Sequence, residues 1–291
     1  MATAREIRRR IRSVKNIAQI TRAQQLVASS RMRRAQERVL ASRPYAEQLR
    51  RMLNRLASQG GDHERPLMQK HTAVRKILIV VMTPDRGLAG ALSANVNRRA
   101  GQLSLDLRRD HPDARVSFVA VGRKARDFII RSGQSLLAEF TGLGDIPKLS
   151  DVRAIARVLT DAYLGGEADQ VVMVYPKYVS IVTQTPTMIQ MLPIEPPATT
   201  AEAGVAKEYI FEPNTDAIFD QLLPRYLETL IHQPLLETVA SFYSAQMLAM
   251  KNATDNATEL VDDLTLTYNK ARQSAITTQI LEVVSGAGEL G

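Results

Sequence analysis

The chain has no cysteine among its 291 residues. That excludes a disulfide framework, a thiolate metal site and a thiol nucleophile, and it fits a reducing compartment. Proline is missing from the last 57 residues, and glycine from Leu235 to Ser285, so nothing near the C-terminus interrupts a helix. Long apolar runs are missing as well. The longest, Ile77 to Met82, falls far short of the roughly 18 residues a membrane span needs. The four histidines, His63, His71, His111 and His232, have no metal-ligand spacing, and no Gly-x-Ser-x-Gly elbow occurs. The sequence therefore makes no case for an active site, a metal or a cofactor.

Two glycine-containing segments approach phosphate motifs and stop short. Thr83-Pro84-Asp85-Arg86-Gly87-Leu88-Ala89-Gly90 lies between an expected strand and an expected helix, but lacks the Gly-Lys-Ser/Thr ending that grips phosphate and magnesium. Gly142-Leu143-Gly144 runs into Asp145-Ile146-Pro147, so the third glycine of a dinucleotide fingerprint is absent. Both read as tight turns. Asn252-Ala253-Thr254 and Asn256-Ala257-Thr258 match a glycosylation pattern, but they fall inside an expected helix and read as coincidence.

What is present is long periodic helix at both ends. Ile7, Ile11, Val14, Ala18, Thr21, Gln25, Ala28, Met32, Ala35, Val39, Ser42, Ala46, Leu49, Leu53 and Leu56 recur at alternating steps of three and four. A period of 3.5 held that long is a coiled-coil seam, which needs a partner helix. The spacing predicts a helix from about Ala2 to Ala57, bent or broken at Pro44 and ended by Gly60 and Gly61. At the other end the helical pattern resumes after Pro213, with Pro224 and Pro234 marking steps in it, and from Leu235 the positions Leu235, Val239, Phe242, Ala245, Ala249, Ala253, Ala257, Leu260, Leu264, Tyr268, Ala271 and Ala275 repeat at about 3.6. The two ends are expected to pair as an antiparallel, alanine-slim stalk.

Between them the pattern shortens. Lys76–Met82, Arg115–Val121, Ser135–Phe140 and Gln170–Tyr175 read as strands, alternating with helices at Leu88–Arg109, Arg123–Arg131 and Leu149–Leu164. That alternation indicates an α/β layer with parallel strands. Tyr178–Leu192 reads as an antiparallel arm, Glu195–Lys207 as a loop, and Tyr209–Phe211 as a last strand. The expected division is a helical segment 1–59, a Rossmann-like α/β domain 74–212 and a helical segment 213–291.

Charge is unevenly spread within a net +8. Met1 to Arg55 holds fifteen Lys and Arg against Glu6, Glu37 and Glu47, a balance of +12, whereas Ala206 to Gly291 holds five against twelve acids, a balance of −7. The ends attract, though exposed pairs contribute only about 0–1 kcal/mol each. The surplus on the first helix points to an acidic partner, whether protein, lipid or nucleic acid. A zipper-type reader of DNA is the alternative, but its basic block would precede the seam, whereas here arginines interleave with it. The Arg-rich opening Met1 to Arg12 imitates a mitochondrial transit peptide; because the seam already starts at Ile7, it reads as structure, and the chain as bacterial or mature.

Several long motifs together resemble the gamma subunit of the F-type ATP synthase. They are Ser13-Val14-Lys15-Asn16-Ile17 through Ile20-Thr21-Arg22-Ala23, Val27-Ala28-Ser29-Ser30-Arg31-Met32-Arg33-Arg34, Met250-Lys251-Asn252-Ala253-Thr254-Asp255-Asn256-Ala257, Leu266-Thr267-Tyr268-Asn269-Lys270-Ala271-Arg272-Gln273 and Ile276-Thr277. The resemblance runs end to end and implies a non-catalytic rotor shaft without cofactors. The helix pair would penetrate a ring of three alpha and three beta subunits. The α/β domain would sit below it beside epsilon and on the c-ring, in a delta-containing complex peripheral to the cytoplasmic face of a bacterial membrane.

By the same resemblance Arg31, Arg33 and Arg34 would meet acidic beta-subunit loops, and Arg272, Gln273 and Thr277 a beta loop. Tyr209, Phe211 and Glu212 would form the foot on the c-ring, and Asp85 and Arg86 belong to a partner-facing loop. This chain departs from the family where Ala89 replaces a usual cysteine and at Gln24 and Gln246. Without cysteine, the redox switch of chloroplast-type members is excluded.

Overall fold

The computed structural model describes residues 3–58, 65–71, 73–195 and 215–288. The expected strand Tyr209–Phe211, most of the Glu195–Lys207 loop and the Gly60-Gly61 helix stop lie outside the described residues. Two helices frame the chain, α1 (Ala4–Ser58) and α5 (Thr215–Gly288). Between them come β1 (Lys76–Met82), α2 (Leu92–Asp110), β2 (Arg115–Val121), α3 (Arg123–Arg131), β3 (Leu136–Phe140), α4 (Leu149–Leu164), β4 (Gln170–Tyr178) and β5 (Gln184–Leu192). The chain divides into two compact units, residues 1–29 with 246–291, and residues 30–245.

In the larger unit the five strands are ordered β3-β2-β1-β4-β5, the first four parallel and β5 antiparallel at one edge. Six of the seven residues of β1 are buried, because a parallel strand is covered on both faces and so reads as a continuous apolar run. Ile77, Ile79 and Val81 face α2 and α3 through Val96, Ala100, Leu103, Ala125 and Ile129. Leu78, Val80 and Met82 lie in the opposite layer, with Ile155 and Leu159 of α4, Leu49, Leu53 and Leu56 of α1, and Phe219, Leu223 and Leu227 of α5. The ends of the two framing helices thus form part of the sheet's cover.

Within this unit α1 and α5 run in opposite directions. Arg31 meets Tyr243, Ala35 and Val39 pack with Leu236 and Ala240, and Leu49 and Met52 share a groove with Ile218 and Leu222. Pro44, expected to bend or break α1, and Pro224 and Pro234, expected to mark steps in the C-terminal helix, each lie inside a continuous helix, so no break occurs at any of them. A mid-helix proline costs about 3 kcal/mol. Phe219, Leu222, Leu223, Tyr226, Leu227, Ile231, Leu235 and Leu236 flank the last two and are all buried, each returning roughly 1.5–3 kcal/mol, so tertiary packing decides the outcome. Pro44 is exposed, and so is Leu40, the residue whose carbonyl it leaves without a helical donor.

In the smaller unit both helices keep a seven-residue rhythm. Ile7, Ile11, Val14, Ala18, Thr21, Gln25 and Ala28 of α1 are withdrawn from solvent, as are Met250, Thr254, Ala257, Val261, Leu264, Tyr268 and Ala271 of α5. The hydroxyls of Thr21 and Thr254 are 2.7 Å apart, a direct hydrogen bond across the seam. Two expected seam residues are corrected. Leu260 is 47% exposed, its place taken by Val261, and Ala275 is exposed. A 3.6 repeat drifts off a seam that repeats every seven residues, and the helix follows the seam. Past Ala271 every described side chain, 272–281 and 283, is exposed.

Helix α2 begins at Leu92, four residues later than its sequence predicts, because Leu88 and Gly90 both take positive φ (65° and 55°). Leu88 in the left-handed region carries strain of order 1–2 kcal/mol that the surrounding loop must hold.

Candidate functional site

Three loops at the carboxyl ends of β1, β2 and β3 are tied together by one carboxylate. Asp85 accepts the backbone N–H of Arg123 through Oδ1 and that of Gly142 through Oδ2, each at 2.9 Å. The buried hydroxyl of Thr83 accepts the N–H of Ala125 at 2.7 Å. Gly122, with φ +97°, passes so close that a Cβ there would lie 1.9 Å from the Thr83 carbonyl oxygen, so no other residue fits. Gly142 (φ +78°) and Gly144 (φ +72°) turn the third loop back and present Asp145.

Asp145 is the meeting point of this loop with both framing helices. Its Oδ2 accepts Arg31 Nη1 of α1 at 2.9 Å, its Oδ1 lies 3.5 Å from Arg86 Nη1, and its carbonyl accepts Arg38 Nη1 at 3.4 Å. Arg31 Nη1 also donates to the Tyr243 hydroxyl of α5 at 3.0 Å, and its guanidinium lies 5.7 Å from that ring's centre. Burial raises the Tyr243 phenol above its ordinary range, and Asp145 raises it further, so the hydroxyl is neutral at physiological pH.

A second junction holds the far end of β4. Buried Glu237 of α5 accepts the Tyr178 N–H at 3.2 Å, Ser241 donates to the Pro176 carbonyl at 2.9 Å, and Gln36 of α1 is hydrogen-bonded to the Tyr178 hydroxyl. Burial raises the Glu237 carboxyl, opposed by the Tyr178 N–H and by Lys177 and Arg43. Polar bonds of this kind fix register, as apolar contact alone does not.

Of the residues singled out from sequence, Arg31, Asp85 and Arg86 converge on the Asp145 loop. Arg33 and Arg34 are exposed and make no ion pair among the described residues. Arg272, Gln273 and Thr277 are exposed on α5 in the smaller unit, where Thr277 donates its hydroxyl to the Gln273 carbonyl. Tyr209, Phe211 and Glu212 lie outside the described residues. Sequence reasoning missed Asp145, Tyr243 and Glu237. The available signal for Asp145 was an acid presented by a Gly-x-Gly turn in a chain rich in arginine. Among the described residues no cluster of His, Asp and Glu is arranged to hold a metal, and no helix is long and apolar enough to cross a membrane.

Known proteins similar to this chain are consistent with one another. The family model described as ATP synthase matches residues 3–290. The ATP synthase gamma chain of Roseiflexus sp. (strain RS-1) is 47% identical over 291 residues, covering 100% of this chain and 99% of the relative. That of Herpetosiphon aurantiacus is 47% identical over 298 residues, with 100% and 99% covered. Among solved structures, a chain of the Euglena gracilis mitochondrial ATP synthase (OSCP, F1 and c-ring) shares the fold at TM-score 0.64 and 17% identity, covering 99% of this chain and 94% of that one. A chain of the Tetrahymena thermophila central stalk and c-ring does so at TM-score 0.60 and 21% identity, covering 80% and 99%.

Proposed function

This chain belongs to the ATP synthase gamma-chain family, and from that premise we propose how its parts work as the central-stalk rotor of the enzyme. It couples turning of an ion-driven c-ring to ATP synthesis or hydrolysis in a ring of alpha and beta subunits, and itself catalyses nothing. The observation that carries this is the pairing of the two chain ends along one seam, joined at Thr21 and Thr254. A two-helix body without side elements suits rotation inside a sleeve, and the exposed α5 segment past Ala271 suits a bearing. The working parts are the helical segments 1–59 and 213–291 and the α/β domain 74–212, whose foot includes Tyr209, Phe211 and Glu212. Epsilon and the c-ring are its partners below, in a complex on the cytoplasmic face of a bacterial membrane.

Arg33 and Arg34, free of partners within the described chain, are assigned to acidic loops of the turning ring. Exposed opposite charges attract without one deep well, as a sliding contact requires. Arg31 divides its charge between that surface and Asp145, with Asp85 and Arg86 shaping the loop beside it. Arg272, Gln273 and Thr277 are assigned to a beta loop. Nothing favours the nucleic-acid alternative, since the arginines never separate from the seam into a block.

A tagged chain expressed with its neighbours tests the reading. Two larger nucleotide-binding subunits should co-purify with it, and their absence would end the rotor assignment. With Arg33 and Arg34 both changed to Ala, the complex should still assemble while ion pumping driven by ATP falls; equal loss of both would remove those two arginines from the contact.

A further inference from the structure

We propose that a cavity of about 300 Å³, between the strand ends and α5, is a binding site for a small aromatic or branched carboxylate. It lies at the carboxyl ends of β1, β2 and β3, closed on one side by α5. Its volume is at the small end of ligand pockets. One wall is apolar, made by Val121 and Leu143 from the sheet side and Leu235, Val239 and Phe242 from α5. A flat hydrocarbon body fits against that wall.

The polar side of the cavity specifies charge. The two backbone N–H groups that a phosphate would need, those of Arg123 and Gly142, are already taken by Asp85, which argues against a nucleotide. Asp145 is likewise engaged by Arg31. The guanidinium groups of Arg86 and Arg123 are held only loosely, at 3.5 Å from Asp145 and 3.9 Å from Asp85, with side chains 61% and 59% exposed. They can turn onto a carboxylate at the cavity mouth with little loss to the fold, and the planar fork suits that group. A ligand seated there touches the three loops and α5 together. This site stands on the cavity alone and does not depend on the rotor reading.

The full-length chain, titrated with 4-(trifluoromethyl)benzoate and followed by fluorine NMR, gives the test. Saturable line broadening with a Kd tighter than about 1 mM is expected. Arg86→Gln and Arg123→Gln should each weaken it about fivefold, the latter keeping the backbone N–H that holds Asp85. Arg109→Gln, on an exposed arginine at the end of α2, should leave it unchanged, and the neutral 4-(trifluoromethyl)benzamide should bind more weakly than the acid. No saturable broadening would overturn the proposal. So would binding that survives both substitutions, that Arg109→Gln weakens equally, or that the amide matches.

Discussion

The same two helices live in two different surroundings. Within residues 30–245 they are fastened to a sheet by a dry core around Phe219 and Leu53 and by carboxylates at Asp145 and Glu237. Among the described residues of 1–29 and 246–291 they pack on each other, through small side chains such as Ala28 and Ala257 and the Thr21–Thr254 bond. A part that transmits torque needs a rigid attachment at one place and a smooth, unattached surface at another, and one helix pair supplies both by changing what it packs against.

The largest blow to this contrast should come from the fastened side. Phe219 is fully buried, and Phe219→Ala should destabilise the larger unit by about 3–5 kcal/mol in urea unfolding. A loss under about 1 kcal/mol would mean that α5 is not anchored through the core. Next comes Asp145→Asn, which removes the charge that Arg31 and Arg86 share. Because the pairs are partly exposed, stability should fall by only about 1 kcal/mol. In the assembled enzyme, however, ATP-driven pumping should drop more than ATP hydrolysis, and an equal drop in both would deny Asp145 a part in transmission.

Glu237 adds a pH dependence with a definite sign. Its folded-state pKa is raised, so the folded chain holds that proton more tightly than the unfolded one. The resulting stability is complete below the ordinary carboxylate range and is lost as pH rises through the raised value. Glu237→Gln keeps an acceptor for the Tyr178 N–H, so its melting temperature should match the parent's below about pH 4 and exceed it by a few degrees at neutral pH. A difference that does not change with pH would show that Glu237 is ionised at no cost.

The smallest effect tests the bare side. Val261→Ala should cost about 1 kcal/mol and Leu260→Ala under about 0.5, since Val261 is on the seam and Leu260 faces solvent. The reverse order would shift the register of the pair.

Most of the architecture was legible because its signals are periodic. The seam residues from Ile7 to Leu56 all turned inward, and β1, β2, α3 and α4 begin and end where their patterns do. Failures came where tertiary contact outweighs local preference. Pro44 reads as a bend or break and Pro224 and Pro234 as steps, but burial on both sides of the last two, and exposure of the first, leave both helices continuous. Leu88 looked helical because its left-handed φ depends on a loop that no local pattern reveals. The family resemblance singles out Arg31 and the Asp85-Arg86 turn, whereas Asp145 and Tyr243 matter only because the fold brings residues 31, 86, 145 and 243 together.

In a central-stalk rotor the two ends of the chain turn as one body. Thr21 and Thr254, both changed to Cys in a chain with no other thiol, would place two sulfurs across the seam where the hydroxyls now lie 2.7 Å apart. Measured in the assembled enzyme, the disulfide should close on oxidation, and ATP hydrolysis coupled to ion pumping should stay within about twofold of the reduced form. A bond that does not close, or oxidation that halts turnover and reduction that restores it, would contradict the single-axle account.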